Sequence, residues 1–354
     1  SNLMKFSILF FSSDAGDDDP YRLMIAASRF ADAHGFVAVW TPERHFDRFG
    51  GAFADPAITS AALAMVTERV QLRSGSLISP LHDVVRLAES WAMVDQLSRG
   101  RVAISFGSGW NANDFAFYPE RYARRQATMF EQVDELRRIW REHRVERETP
   151  SGVRELEIFP RPVQRELPVW ITTSGSPDTW RAAGTRGANV LTHMIMQDAE
   201  TLAVRIASYR EARRAAGLDP ATGTVSLMLH TFIGASDALV RATVRPSMRE
   251  YLRSAVQLEI KAARAGAMSG SLAMPDEAIS DEVMEDLLDL TFERYYERQS
   301  CMGTVDAAHA KVERLRQVGV DEIACLVDFG VARGAVLESL EALRDLKDRF
   351  DARR

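Results

Sequence analysis

Residues 95–110 read DQLSRGRVAISFGSGW, and the order of the parts in this stretch decides the fold. A helical pattern stops at Gly100, a short apolar run follows over Val102–Gly107, and Gly107-Ser108-Gly109 opens a turn. Glycine suits the residue just past a helix because it adopts the left-handed conformation without a Cβ penalty. A continuous apolar run straight after it reads as a strand buried on both faces, the form found in parallel sheets. The same joint recurs where Gly35 precedes FVAVW, Gly187 precedes ANVLTHM and Gly319 precedes VDEIACLV. Helix starts are marked as regularly: Asp19-Pro20, Asp55-Pro56 and Ser176-Pro177 each set a capping residue before a proline at the first helical position. Between these marks the apolar spacing is helical, as in Leu23, Ala26, Ala27, Phe30 and Ala31.

Outward from that stretch, eight strands are predicted: Phe6–Phe11, Val37–Thr41, Val70–Leu77, Val102–Gly107, Pro168–Thr173, Asn189–Met194, Thr224–Ile233 and Glu322–Asp328. Eight strands alternating with helices predict an α/β fold of the (β/α)8 TIM-barrel type rather than an open doubly wound sheet. The barrel takes up nearly all of the chain, so residues 1–354 read as a single domain. One segment breaks the alternation. Arg245–Cys301, between strands seven and eight, contains AGAMSGSLAMPDE and reads as extra helices with a flexible Gly/Ser/Met segment near Gly266–Pro275. An insertion there is expected either to form a lid over the barrel's top rim or to be a surface excursion without function.

Composition narrows the function classes. The 354 residues are 46% apolar and 27% charged, which fits a globular chain with a large core and argues against global disorder. The net charge is −6 and the arginines are spread along the chain, so neither a nucleic-acid nor a membrane partner is indicated. Cys301 and Cys325 are the only cysteines and lack CxxC spacing, which supports neither a zinc site nor a disulfide framework. The start SNLMKFSILFF lacks the features of a secretory leader, and no 18-residue apolar run occurs. A cytoplasmic location is expected.

In a barrel the chemistry gathers where strands end and βα loops begin, which sorts the seven histidines. His34 and His309 fall inside helices and His143 lies after one, so these read as structural. His45 follows strand two within WTPERHF (40–46), His82 lies in the SPLHD loop after strand three, His193 ends strand six and His230 lies within strand seven. Four histidines aimed at one face favour general acid/base work or ligand hydrogen bonding. No HExxH spacing occurs, and no metal is expected. After strand four, SFGSGWNANDF (105–115) combines glycines that let a planar ligand approach the backbone with Trp110, Asn111, Asn113 and Asp114; alone it is equally a glycine-rich turn. TTSGSPDTW (172–180) sets hydroxyls and free amides at a helix N-terminus, a ready phosphate site, although Ser176 alone could be a simple cap. GxGxxG after the first strand and GxxxxGK[ST] are both missing, which disfavours Rossmann and P-loop nucleotide sites.

These stretches, with RSGSLISPLHDVVRLAESWAMVDQLSRGR (73–101), resemble the luciferase-like flavin monooxygenases, (β/α)8 proteins that use reduced FMN and oxygen; the similarity runs from Phe6 to about Gly330. GSGWNANDF together with GTVDAAHAKVERLRQVGVDEIACLVDFG resembles the subgroup found with polyketide and nonribosomal-peptide assembly lines. The resemblance implies cofactor contacts at Ser74, Gly75, Ser108, Asn111 and Tyr122, with the phosphate on Thr173, Ser174, Gly175 and Ser176. It puts a non-prolyl cis peptide at Ser74-Gly75, beneath the flavin ring. It implies catalytic roles for His45, Arg44 and Asn111. His45 corresponds to the second of two histidines beside the flavin's reactive edge in bacterial luciferase; the first is Arg44 here, and the luciferases' reactive cysteine is Gly107, so light emission is not expected. A permanently charged Arg44 is unsuited to proton transfer but could hold an anionic substrate or a peroxide anion.

The implied reaction passes through a C4a-(hydro)peroxyflavin. The substrate is a small molecule or a carrier-protein-tethered intermediate of secondary metabolism, and the sequence does not distinguish hydroxylation from Baeyer–Villiger oxidation. With no second dinucleotide fingerprint for NAD(P)H, a separate flavin reductase is the expected partner, and the barrel relatives suggest a homodimer. The alternatives are a deazaflavin-dependent oxidoreductase of the same fold, a non-catalytic flavin-binding or docking protein, and a barrel hydrolase, for which only Glu43, Asp114 and Asp328 lie near strand ends.

Overall fold

The computed structural model describes residues 3–11, 19–48, 50–195, 197–268 and 279–351. In chain order its elements are β1 (Lys5–Leu9), α1 (Arg22–Ala33), β2 (Ala38–Thr41), α2 (Pro56–Ala64), β3 (Gln71–Ile78), α3 (Val84–Leu97), β4 (Val102–Gly107), α4 (Arg125–Glu142), β5 (Arg144–Thr149), β6 (Gly152–Glu157), β7 (Val169–Thr172), α5 (Pro177–Thr185), β8 (Asn189–His193), α6 (Ala199–Ala215), β9 (Val225–Ile233), α7 (Asp237–Met268), α8 (Asp281–Arg298), β10 (Cys301–Gly303), α9 (Val305–Gln317), β11 (Glu322–Leu326) and α10 (Arg333–Asp348). The eight predicted strands are β1, β2, β3, β4, β7, β8, β9 and β11. Each pairs in parallel with the next, and β11 returns to β1, so the sheet closes into a (β/α)8 barrel.

Closure leaves two packed regions. Outside the strands, Trp91, Trp140, Trp180 and Tyr209 are fully buried among the helices. Inside, Arg73 and Glu322 form a buried ion pair, with Nη1 2.7 Å from the nearer carboxylate oxygen. The Arg73 guanidinium lies between the rings of Trp40 and Trp170, at 4.5 and 4.2 Å from their centroids. Ser7 donates to Glu322 and accepts from the Trp40 indole, each at 2.8 Å. Five strands therefore meet in one satisfied polar core, which offsets the cost of burying two charges.

The structure departs from the sequence expectations in several places. The antiparallel hairpin of β5 and β6 precedes β7. Its residues are mostly exposed and polar, so it carried no apolar signature. At Asp19-Pro20 the side chain accepts from the Tyr21 amide at 3.0 Å, and α1 starts only at Arg22. His34 is the C-cap of α1 rather than a residue inside it. The non-prolyl cis bond joins Gly75 to Ser76, one residue beyond Ser74-Gly75. The β3–β4 register shifts between Gly75 and Leu77, which takes Ser76 out of the ladder. The insertion comprises α7 and α8 and starts at Asp237, ahead of the expected Arg245. Of the segment near Gly266–Pro275, positions 269–278 lie outside the described residues.

Candidate active site

The stretch WTPERHF leaves β2 at the C-terminal end of the barrel. Two backbone bonds pin it there: Glu43 N–H donates to the Ser76 carbonyl at 3.0 Å and Arg44 N–H to the Phe53 carbonyl at 2.7 Å. Glu43 is only 5% exposed. Its Oε2 lies 2.5 Å from Nε2 of His45, Nε2 of His82 lies 2.9 Å from both oxygens, and the Ile78 amide donates to Oε1 at 2.9 Å. Burial would raise the carboxyl's pKa, but the bonds from His45, His82 and Ile78 outweigh it and hold the group below the ordinary carboxylate value. The bond to Glu43 lifts His45 above the ordinary imidazole value against the opposing effect of burial, and the Asp114 and Asp55 carboxylates add to the lift.

Arg44 lies over the Phe11 ring, 4.0 Å from its centroid. Gly50 makes that path available, since a Cβ there would come within 2.1 Å of the Arg44 Nε, and its φ of +79° favours glycine as well. Across from His45, the turn after β4 forms a 3-10 helix over Ala112–Ala116. Asn111 caps it, accepting the Asn113 amide at 3.1 Å. Asp114 in that turn is 6% exposed, and its Oδ1 has no hydrogen-bond partner. Burial raises its pKa; Glu43 adds to the rise, and His45 and Arg44 oppose it. Phe117 sets its ring edge-on to His45 at 5.1 Å and stacks on exposed Phe46 at 5.6 Å.

A second constellation lies further round the same rim. A cavity of about 260 Å³ is lined by Ser108, Thr173, Ser174, Ser176, Arg125 and Gln126, among others. Ser176 is the N-cap of α5, yet its hydroxyl makes no capping bond. The plain capping role is therefore not what its side chain does. Arg125 donates to the carbonyls of Gly109 and Tyr122 at 3.1 and 3.0 Å and sits over the Tyr122 ring. Tyr122 supports Arg125 and does not itself line the cavity. A guanidinium, the hydroxyls of Ser108, Thr173, Ser174 and Ser176 and a helix N-terminus form a donor set that suits a phosphate. Gly175 has open space where a Cβ would stand, so crowding does not require a glycine there.

The remaining candidates divide clearly. Ser74 spends its hydroxyl on the β3–β4 ladder, donating to the Ser105 carbonyl at 3.3 Å and accepting its amide at 3.1 Å. A Cβ on Gly75 would press on Trp40 at 3.0 Å, so that glycine also serves the core. His193 and His230 are driven down by burial, to about 4 and about 3 respectively, with the nearby His193 also disfavouring charge on His230. Both are neutral at pH 7. His230 Nδ1 meets the Tyr295 hydroxyl of α8, and its ring lies 4.6 Å from that of Tyr251 of α7, so the insertion packs over the barrel mouth on this side. His82 is raised in importance by its bond to Glu43. Sequence reasoning weighed Glu43 only with Asp114 and Asp328, as a strand-end carboxylate of a hydrolase, although the motif ERH sets it two residues from His45. Arg125 stands in RYARRQ, where nothing distinguishes it from Arg121 and Arg124.

Among the described residues no helix is long and apolar enough to cross a membrane. The family model for luciferase-like monooxygenases matches residues 4–322. Curated relatives include an uncharacterized protein of Mycobacterium tuberculosis, 27% identical over 203 residues, or 50% of this chain and 68% of that one. The oxygenase component of a flavin-dependent trigonelline monooxygenase from Acinetobacter baylyi is 27% identical over 205 residues, 53% of each chain. Among solved structures, monooxygenase RslO1 from Streptomyces bottropensis matches with a TM-score of 0.74 at 23% identity, covering 97% of this chain and 98% of that one. The oxygenating constituent of 3,6-diketocamphane monooxygenase of Pseudomonas putida, a Baeyer–Villiger enzyme in complex with FMN, matches with a TM-score of 0.77 at 16% identity over 98% of each chain. An F420-dependent secondary alcohol dehydrogenase shares the fold, with a TM-score of 0.67 at 19% identity over 97% of this chain and 100% of that one. The extent of the family match shows that the chain belongs to the luciferase-like monooxygenase family.

Proposed function

We propose that this chain is the FMN-binding oxygenase component of a two-component system, a cytoplasmic homodimer supplied with reduced flavin by a separate reductase. Its substrate is a small molecule or a carrier-protein-tethered intermediate of secondary metabolism. The observation that carries the reading is the cavity where Arg125, Ser174 and Ser176 converge on the same rim as Glu43 and His45. That the trigonelline relative is itself an oxygenase component supports the division of labour.

Arg125, Thr173, Ser174 and Ser176, with the amides around Gly175, would hold the FMN phosphate; Ser108, Asn111 and the backbone at Ser74 and Gly75 would hold the ring, and Tyr122 acts through Arg125. When bound, reduced flavin supplies the activation of dioxygen. His45 moves the proton, since an imidazole both gives and takes one, and its bond to Glu43 favours the protonated form. Arg44 orients an anionic substrate or stabilises negative charge beside His45. Phe46 and Phe117 shield that corner from water.

A deazaflavin reading is the second one, favoured by the F420-dependent neighbours of the same fold. Anaerobic titrations with reduced FMN and with reduced F420, each followed by mixing with oxygenated buffer, separate the two. Tight binding of reduced FMN is expected, weakened about tenfold or more in Arg125→Ala through loss of charge-assisted bonds. A reoxidation trace distinct from that of free flavin is also expected. Binding of F420 alone would overturn the FMN reading.

A further inference from the structure

Glu43 is shared by two imidazoles, and that geometry decides which atoms carry the protons. An ionised carboxylate only accepts hydrogen bonds. Nε2 of His45 lies 2.5 Å from Oε2, Nε2 of His82 lies 2.9 Å from Oε1 and from Oε2, and the Ile78 amide fills a further lone pair of Oε1 at 2.9 Å. Each imidazole contact therefore has its hydrogen on Nε2. The Glu43 side chain is wholly shielded from solvent, so water does not compete for these positions.

We propose that Glu43 is a positioning residue that commits His45 and His82 to tautomers protonated at Nε2, leaving Nδ1 of His45 as the nitrogen that takes and returns the reacting proton. The inference rests on reading His45 as the acid–base group. A proton arriving at Nδ1 fills its lone pair and makes an imidazolium, whose charge the adjoining carboxylate balances. Its departure to the reacting group restores the neutral Nε2–H form, so His45 alone among this cluster's side chains changes protonation over the cycle. The same logic orients histidine bases elsewhere: a carboxylate behind the ring fixes the tautomer and stabilises the imidazolium.

The two histidines are coupled through their common partner. His82, with 27% of its side chain exposed, answers to solvent, whereas His45 is at 13%. Asp114 and Asp55 face His45 from the turn after β4 and from the start of α2 and favour its protonation, while Arg44 is its chain neighbour. The rings of Phe46 and Phe117 bring no charge to that corner.

Nitrogen-15 NMR of the cofactor-free chain labelled at histidine tests this without any flavin. The expected wild-type spectrum shows neutral His45 and His82 as Nε2–H tautomers. In Glu43→Gln, His45 should titrate lower by about one pH unit or more and lose its single tautomer, because a carboxamide carries no charge and also donates. Glu43→Asp, which keeps the charge, should recover part of the shift. An Nδ1–H tautomer at His45 in the wild type, or an unmoved titration in Glu43→Gln, would overturn the proposal. Should Glu43→Gln fail to fold, the wild-type tautomer decides alone. The pH profile of reduced-flavin reoxidation is a second readout, and in Glu43→Gln it should move in the direction of the NMR titration. A chain that bound no flavin would sink the reading of His45's task while leaving the tautomer result to stand or fall by itself.

Discussion

Asp114 carries a carboxyl that is 6% exposed and has an oxygen without a partner, an arrangement that burial makes unfavourable when the group is ionised. Its pKa is raised by burial, so the folded state holds the proton more tightly than the unfolded chain does. The sign follows: stability falls as pH rises from the unfolded value through the folded one, and the penalty is absent below both. Asp114→Asn should therefore stabilise the chain by about 1 kcal/mol at neutral pH, and the gain should vanish in urea melts at pH near ~3, below the unfolded carboxyl value. A gain that persisted at low pH would contradict the electrostatic account. At Gly50 the argument is steric. Gly50→Ala should displace Arg44, and activity is expected to fall to the same extent in Gly50→Ala and Arg44→Ala, with a stability loss of about 1 kcal/mol in Gly50→Ala from the left-handed backbone. Full activity in Gly50→Ala would show that the observed path of Arg44 does not matter to the reaction.

At the level of elements, helix caps that look alike in sequence do different things. Asp55 accepts the Ala57 amide at 2.9 Å at the start of α2, whereas Ser176 at the start of α5 makes no side-chain cap bond. Asp55→Ala should cost about 1 kcal/mol of stability. Ser176→Ala should cost well under half of that, about 0.3 kcal/mol, yet weaken FMN binding several-fold if the free hydroxyl faces the phosphate. Equal stability losses in the two variants, measured by chemical denaturation, would mean that Ser176 is merely a cap. Helices α7 and α8 show another kind of element-level design. Arg241, Arg245, Arg249 and Arg253 recur at helical spacing and face Glu285, Asp289, Glu293 and Glu297 across the pair. Exposed pairs of this kind contribute little singly, so the contacts of partly buried Tyr251 and buried Tyr295 with His230 seat the insertion, and the ladder fixes its register.

For the whole molecule the decisive contacts cross the barrel. Arg73 on β3 and Glu322 on β11 meet far apart in sequence, sandwiched by Trp40 and Trp170. Removing one partner leaves a buried charge unpaired, so Arg73→Leu should cost about 3–5 kcal/mol in denaturant unfolding. A loss below about 1 kcal/mol would mean that the interior readily repacks or admits water. The pairing was invisible in the sequence, because a charged residue in a strand announces neither its partner nor its burial. The barrel itself was legible from the primary structure, since glycine-closed helices and apolar runs are local signals, each written within a few residues of the joint it makes. The rim location of His45, Arg44, Asn111 and the Ser174 turn followed from that alternation, for a strand's end is a sequence position. Three-dimensional closure alone brought His82 onto the carboxylate that lies two residues from His45, and Arg125 beside Ser176, because both depend on which strands and helices become neighbours. It also decided that His193 and His230 are neutral, since burial sets their proton affinity and burial belongs to the closed barrel rather than to any stretch of chain.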